Sequence, residues 1–128
     1  MREIIYIAVA GGLGAIGRYY ITSLTQKMLG YGFPYGTLVV NVLGSFLLGL
    51  IVQTGMSTDL LPRSLRLAMA FGFLGAFTTF STFSYETLVY IEDGAWAMAG
   101  VNILTNVLPA IVAVFSGMLL GRTIFGGS

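Results

Sequence analysis

Four stretches of this chain, residues 4–24, 37–54, 65–91 and 95–120, are each long and apolar enough for a helix that crosses a bilayer, which takes ~20 mostly apolar residues. The second and fourth carry no charge, the first is interrupted only by Arg18, and the third holds Glu86 near its far end. Only 9% of the 128 residues are charged and 56% are hydrophobic, whereas a soluble domain carries about 25% charge. Such a chain cannot clothe a globule in water-soluble surface, so its solvent is mostly lipid. The expected fold is an all-α membrane protein of four transmembrane helices, forming one domain over residues 1–128. The first stretch reads as a retained helix rather than a cleaved signal. Glu3 spoils a basic lead-in, and Arg18 stands where a cleavage region needs small, uncharged residues.

The connectors are short and rich in turn formers: "GYGFPYG", "GMSTDLLPR" and "EDGAW". Tyr31, Tyr35, Tyr90 and Trp96 fall near the span ends, where amphipathic rings settle at the headgroups. Arg2, Arg63, Arg66 and Arg122 share the side of the termini, and Lys27, with Arg18 if it leans that way, takes the other. That bias favours termini inside the cell. It is thin, which leaves insertion in both orientations open. Ala10/Gly14, Ser45/Gly49 and Ala113/Gly117/Gly121 repeat small residues at four-residue spacing, which lets helix backbones touch. Four helices barely enclose an interior, so polar groups left without a partner in one subunit point to an oligomer.

The sequence removes most chemistry from consideration. It has no cysteine and no histidine, and Glu3, Asp59, Glu86, Glu92 and Asp93 form no metal-ligand spacing within one span. An enzyme is not expected. The net charge of +1 offers no footprint for nucleic acid.

What remains is a set of neutral polar groups in unexpected places. "GFLGAFTTFSTFSYETL", residues 72–88, carries seven hydroxyls and four phenylalanines in an otherwise apolar span. Gly72 and Gly75 loosen a helix there, and Thr78 and Thr79 add β-branching, so the third helix is expected to break near mid-membrane. A break exposes carbonyls, which suit a hard cation such as Na⁺, and amides, which suit an anion. A glycine kink used only for packing is the alternative, and both readings are open on these residues. Phe80 and Phe83 lie three apart and share a helix face. Their electropositive edges could hold an anion, although such spacing is ordinary for core or lipid-facing rings. Asn41 sits mid-span in the second stretch, and Asn102 and Asn106 are four apart in the fourth. Each could be inter-helix glue or a pathway donor. Arg18 and Glu86 could pair or line a vestibule, and Arg18 could simply snorkel. Donors far outnumber acceptors, which suits a small, strongly hydrated anion.

"GGLGAIGRYY", "GTLVVNVLGSFLLG" and "GFLGAFTTFSTFSYE" together resemble the bacterial fluoride-specific ion channel family, Fluc or CrcB. The resemblance covers all four spans. It implies a passive, fluoride-selective channel of the bacterial inner membrane that exports fluoride and reduces its toxicity. It further implies an antiparallel, dual-topology homodimer in the lipid bilayer, with two pathways along the subunit interface. A structural, untransported Na⁺ would sit at the dimer centre on the backbone carbonyls of Gly75 and Thr78. Phe80 and Phe83 would form an aromatic box, Asn41 a fluoride-facing donor, and Ser81 and Thr82 further donors. Glu86 would lie near a pore end and Arg18 near an aqueous vestibule. The family's fourth helix often supplies Tyr and then Ser along a polar track, whereas this chain has Asn102, Asn106 and Ala110 there. Two other classes remain as rivals. A small multidrug-resistance-type antiporter needs an acid embedded in the first helix, where this chain has Arg18. A non-transporting membrane assembly protein would use the polar residues only as glue.

Overall fold

Turn chemistry, rather than hydropathy, sets where the helices begin and end. The computed structural model describes residues 1–126. It consists of α1 (Arg2–Leu29), α2 (Tyr35–Ser57), a composite third run over Arg63–Glu92, and α6 (Trp96–Phe125), with the third run made of α3 (Arg63–Leu67), a π-helical stretch (Ala68–Leu74), α4 (Gly75–Phe77) and α5 (Phe80–Glu92). Among the described residues these are four helical runs long and apolar enough to cross a membrane, in an all-α fold. Pro34 and Pro62 stand immediately before α2 and α3, where a fixed φ favours a helix start and a missing N–H costs nothing. Gly30 closes α1 at φ 94° and returns its N–H to the Gln26 carbonyl, and Gly94 turns the chain at φ 75° between α5 and α6. These signals carry α1 five residues beyond the apolar stretch, through Thr25, Gln26 and Lys27. At ~1.5 Å per residue, runs of 28 and 30 residues exceed a hydrocarbon core of ~30 Å, so their ends reach the headgroup region or the helices tilt.

The small-residue lines decide which helices touch. A side chain at Gly49 would run into the Val114 carbonyl, and one at Gly117 into the Phe46 carbonyl. Thus the Ser45/Gly49 line of α2 packs on the Ala113/Gly117/Gly121 line of α6. The Ala10/Gly14 line of α1 packs on the π-helical stretch, with Gly14 against the Phe73 carbonyl and Gly72 against Ile7 and Ala10. Lipid tails are as apolar as leucine, so close backbone approach and dispersion replace the hydrophobic effect as the glue. A small core of Val40, Ile51, Leu74 and Phe77 fills the centre, where Phe73 stacks on Phe77 at 5.6 Å.

Arginines gather at one end. Arg63 pairs with Glu3 at 3.4 Å, Arg66 donates to the Gly55 carbonyl, and Arg122 donates to Gln53. The Arg63–Glu3 pair is exposed, which limits its contribution to less than ~1 kcal/mol. Its value is positional, since it fixes the start of α3 beside the start of α1.

Gly117→Val should destabilise the protein by about 1–3 kcal/mol, read as a lower melting temperature in detergent. Gly100→Ala, where an added methyl meets nothing within 4 Å, should leave the melting temperature unchanged or raise it. Equal effects from both would contradict the proposed α2–α6 contact.

Candidate functional site

Between Phe77 and Phe80 the backbone leaves the helix for two residues. Thr78 (φ −86°, ψ 158°) and Thr79 (φ −147°, ψ 120°) are extended, a conformation that β-branched residues favour. Thr78 finishes the turn before it, with both its N–H and its hydroxyl donating to the Leu74 carbonyl at 3.0 and 2.9 Å. Thr79 starts the helix after it as an N-cap, its Oγ1 accepting the Thr82 N–H at 3.2 Å. The Thr79 hydroxyl in turn donates to Thr82 Oγ1 at 3.1 Å, and the Ser81 hydroxyl lies 3.5 Å from it.

An extended residue turns its N–H and C=O to the same side, and inside a bilayer both need partners. The Asn41 side chain supplies them as a neighbouring strand would. Asn41 Oδ1 accepts the Thr79 N–H at 2.8 Å, and Asn41 Nδ2 donates to the Thr79 carbonyl at 3.1 Å. From there a line of amides crosses to α6. Asn41 Nδ2 also donates to Asn106 Oδ1 at 3.1 Å, and Asn106 Nδ2 donates to the carbonyl and Oδ1 of Asn102. Asn102 Nδ2 donates to the Thr87 hydroxyl at 2.9 Å, which donates to the Phe83 carbonyl at 2.8 Å. A backbone N–H anchors one end and a backbone carbonyl the other, so each amide can face only one way.

This arrangement diverts two backbone donors. In a continuous α-helix the Thr79 N–H would bond to Gly75 and the Thr82 N–H to Thr78. Here they go to Asn41 Oδ1 and Thr79 Oγ1. The carbonyls of Gly75 and Thr78 are left without those donors. A pair of bare carbonyl oxygens is a hard-cation donor set.

Two cavities lie on either side of Thr79. A cleft of about 910 Å³ between α1, the α1–α2 connector, α2 and α5 includes Arg18, Thr37, Thr82 and Glu86 in its lining. A groove of about 380 Å³ across α2, the third run and α6 includes Asn41, Gly75, Thr78, Phe80, Phe83 and Asn106. Thr79 borders both. The Phe80 and Phe83 rings lie 5.5 Å apart at 56°. Phe83 is 8% exposed and Phe80 77%, so one ring is seated in the fold and its neighbour projects from it.

The structure thus brings nine of the eleven candidate residues to two cavities that share Thr79 in their linings. Ser81 is exposed and lines neither. Asn102 is fully enclosed at 0% exposure, held to Thr87, and also lines neither. Arg18 and Glu86 share the cleft without pairing; among the described residues the one ion pair is Arg63–Glu3. Glu86 Oε2 instead accepts the Thr37 hydroxyl at 3.1 Å, while Glu86 Oε1 and Arg18 Nε are buried without a protein partner. Two contributors escaped sequence reasoning. Thr37 meets Glu86 across 49 positions, with no local signal to announce it. Gln26 binds the Gly30 and Phe33 carbonyls at 2.6 and 3.1 Å and accepts the Gly36 N–H at 2.7 Å. It thereby pins the connector that walls the cleft. A lone polar amide just ahead of a five-residue Gly-Pro connector was the available clue.

Residues 5–118 match the family described as CrcB-like protein, Camphor Resistance (CrcB). The chain is 52% identical over 121 residues to a protein of Dehalococcoides mccartyi named fluoride-specific ion channel FluC, covering 94% of this chain and 93% of that one. It is 46% identical over 122 residues to the protein of that name from Geobacter metallireducens, covering 95% and 98%. The match to that of Syntrophotalea carbinolica is 45% over 120 residues, covering 94% and 98%.

Asn41→Ala strips partners from both backbone groups of Thr79 and should destabilise the protein by about 1–3 kcal/mol. Ser84→Ala removes only a hydroxyl that bonds to its own helix at Phe80, and should change stability by a few tenths of a kcal/mol at most. Chemical or thermal unfolding in detergent measures the contrast.

Proposed function

This chain belongs to the CrcB-like family, and from that premise we propose that it is a passive, fluoride-selective channel through which fluoride leaves the cytoplasm across the bacterial inner membrane. Fluoride enters cells as neutral HF and ionises inside, and an interior-negative voltage drives the anion back out without energy coupling.

The observation that carries this reading is the groove lined by amides, hydroxyls and rings without an ionisable side chain, which shares Thr79 with the cleft. Fluoride holds its water tightly, so a selective path must replace that water with well-placed donors and still let the ion go. The cleft with Arg18 and Glu86 serves as the vestibule. Thr82 offers a hydroxyl within the cleft, and Ser81 one at the exposed start of α5. Asn41 offers an amide hydrogen, and the rings of Phe80 and Phe83 offer electropositive edges. Asn106 borders the same groove, and Asn102 supports it from behind. Within the groove beyond the vestibule no ionisable side chain lines the path, so no fixed negative charge repels the anion there and no fixed positive charge traps it.

The groove is open on the outside of one subunit, with Phe80 projecting from it. A second, antiparallel copy would close it and produce two equivalent routes. The interruption at Thr78–Thr79 would then lie near mid-membrane. The bare carbonyls of Gly75 and Thr78 fit a structural Na⁺ shared by two subunits, which would supply positive potential to routes that lack charge of their own. The antiporter reading finds no support in α1. Its one acid, Glu3, lies at the helix end against Arg63.

Phe80→Ile and Phe83→Ile, which remove the ring edges, should each cut fluoride efflux from proteoliposomes roughly tenfold or more. Asn41→Asp, which places a like charge in the route at a cost of several kcal/mol, should reduce it further. A fluoride electrode reads the flux, with chloride efflux as control. Unchanged flux in all three variants would remove the pore assignment, and a wild-type protein that carries no fluoride would remove the channel reading itself.

A further inference from the structure

We propose that Asn106 is a placeholder acceptor: its Oδ1 occupies the Asn41 hydrogen that an anion takes, so that fluoride binds in the groove by exchange with Asn106 rather than by meeting a free donor. This inference rests on the channel reading above.

Counting hydrogens leads to it. The Asn41 amide has two, and both are used. One goes to the Thr79 carbonyl, in a two-bond pair with the Thr79 N–H. Surrendering it would break the clamp that satisfies an extended backbone inside lipid. The other goes to Asn106 Oδ1, a neutral side-chain acceptor, at 3.1 Å. Asn41, Asn106, Phe80 and Phe83 line the same groove. An anion seated against the two rings can therefore draw on only the second hydrogen, and Asn106 Oδ1 must release it.

Two of the three groove hydroxyls are committed too, while that of Ser45 makes no hydrogen bond among the described residues. Thr78 Oγ1 donates to the Leu74 carbonyl, and Thr79 Oγ1 donates to Thr82.

The exchange has a physical purpose. A bare N–H facing an empty apolar groove would be an unsatisfied donor, which is destabilising. The same bare N–H would hold an arriving anion tightly, whereas conduction needs binding weak enough for release. A resident neutral acceptor solves both problems. Fluoride, being charged, forms the stronger hydrogen bond, but it gains only the difference between the two. Asn106 is suited to wait in place. It is 5% exposed, and both hydrogens of its own amide are tied to Asn102, which Thr87 holds in turn. Asn106 is thus a positioning residue that acts through Asn41.

The test uses full-length protein in liposomes, with fluoride efflux measured over a range of fluoride concentrations. Asn106→Ala removes the competing acceptor and should lower the half-saturating fluoride concentration roughly three- to tenfold, the worth of one neutral hydrogen bond, while reducing maximal flux. Asn106→Asp keeps an acceptor and adds a like charge, and should move half-saturation the opposite way. A purely structural role would change maximal flux or stability and leave half-saturation alone; that result overturns the inference while the channel reading stands. Wild-type protein without fluoride flux overturns both. A second measurement needs no variant. The chain has only three asparagines, so ¹⁵N-asparagine labelling yields three side-chain amide pairs. Fluoride, and not chloride, should shift one of the two Asn41 hydrogens strongly. Movement of neither, or of both equally, rejects the exchange.

Discussion

A peptide group in hydrocarbon has no water to fall back on, so every turn out of the helix inside a bilayer must be answered by protein. This structure makes one such turn, at Thr78 and Thr79, and answers it with the side-chain amide of Asn41. Three features of the site follow from that pairing. It diverts the donor that would cover the Gly75 carbonyl. It brings the capping hydroxyl of Thr79 to the boundary of two cavities. It also commits Asn41 to the groove that Phe80 and Phe83 line.

The fold exists to bring α2 and α6 close enough for this to work. Gly49 and Gly117 let those helices meet backbone to backbone, and that contact places Asn41 and Asn106 within hydrogen-bond reach. On the other side Gly14 and Gly72 bring α1 against the π-helical stretch. Gly75 donates there to Ala70, five residues back, and such a widened turn alters the register at which the chain reaches Thr78. Small residues thus govern chemistry they never touch. The ionisable side chains Arg18 and Glu86 line the cleft, and the amides and rings line a groove without ionisable side chains.

Much of this was legible in the sequence because it is local. Apolar length set the four spans, and four-residue spacing of small residues marked the faces that allow close helix approach, though not which helices would pair. The crowd of hydroxyls around Thr78 and Thr79 marked the place where the backbone departs from the helix. What stayed hidden depends on contacts between distant segments. Nothing near Asn41 says that it will bond Thr79, 38 positions later. Nothing in the spacing of Asn102 and Asn106 says that one is sealed inside while the other borders a groove. The π-helical stretch is silent too, since α and π turns share one composition. Arg18 and Glu86 could have paired by sequence alone, and their separation reflects the Thr37 hydroxyl that claims Glu86.

The most direct test is a high-resolution map of the protein in lipid with sodium fluoride. The account expects Thr78 and Thr79 extended and clamped by Asn41. It also expects an anion beside the edges of Phe80 and Phe83, and one cation on a twofold axis among the carbonyls of Gly75 and Thr78. Unbroken α-helix from residue 75 through 82, with the Asn41 side chain turned away and neither ion present, would contradict it.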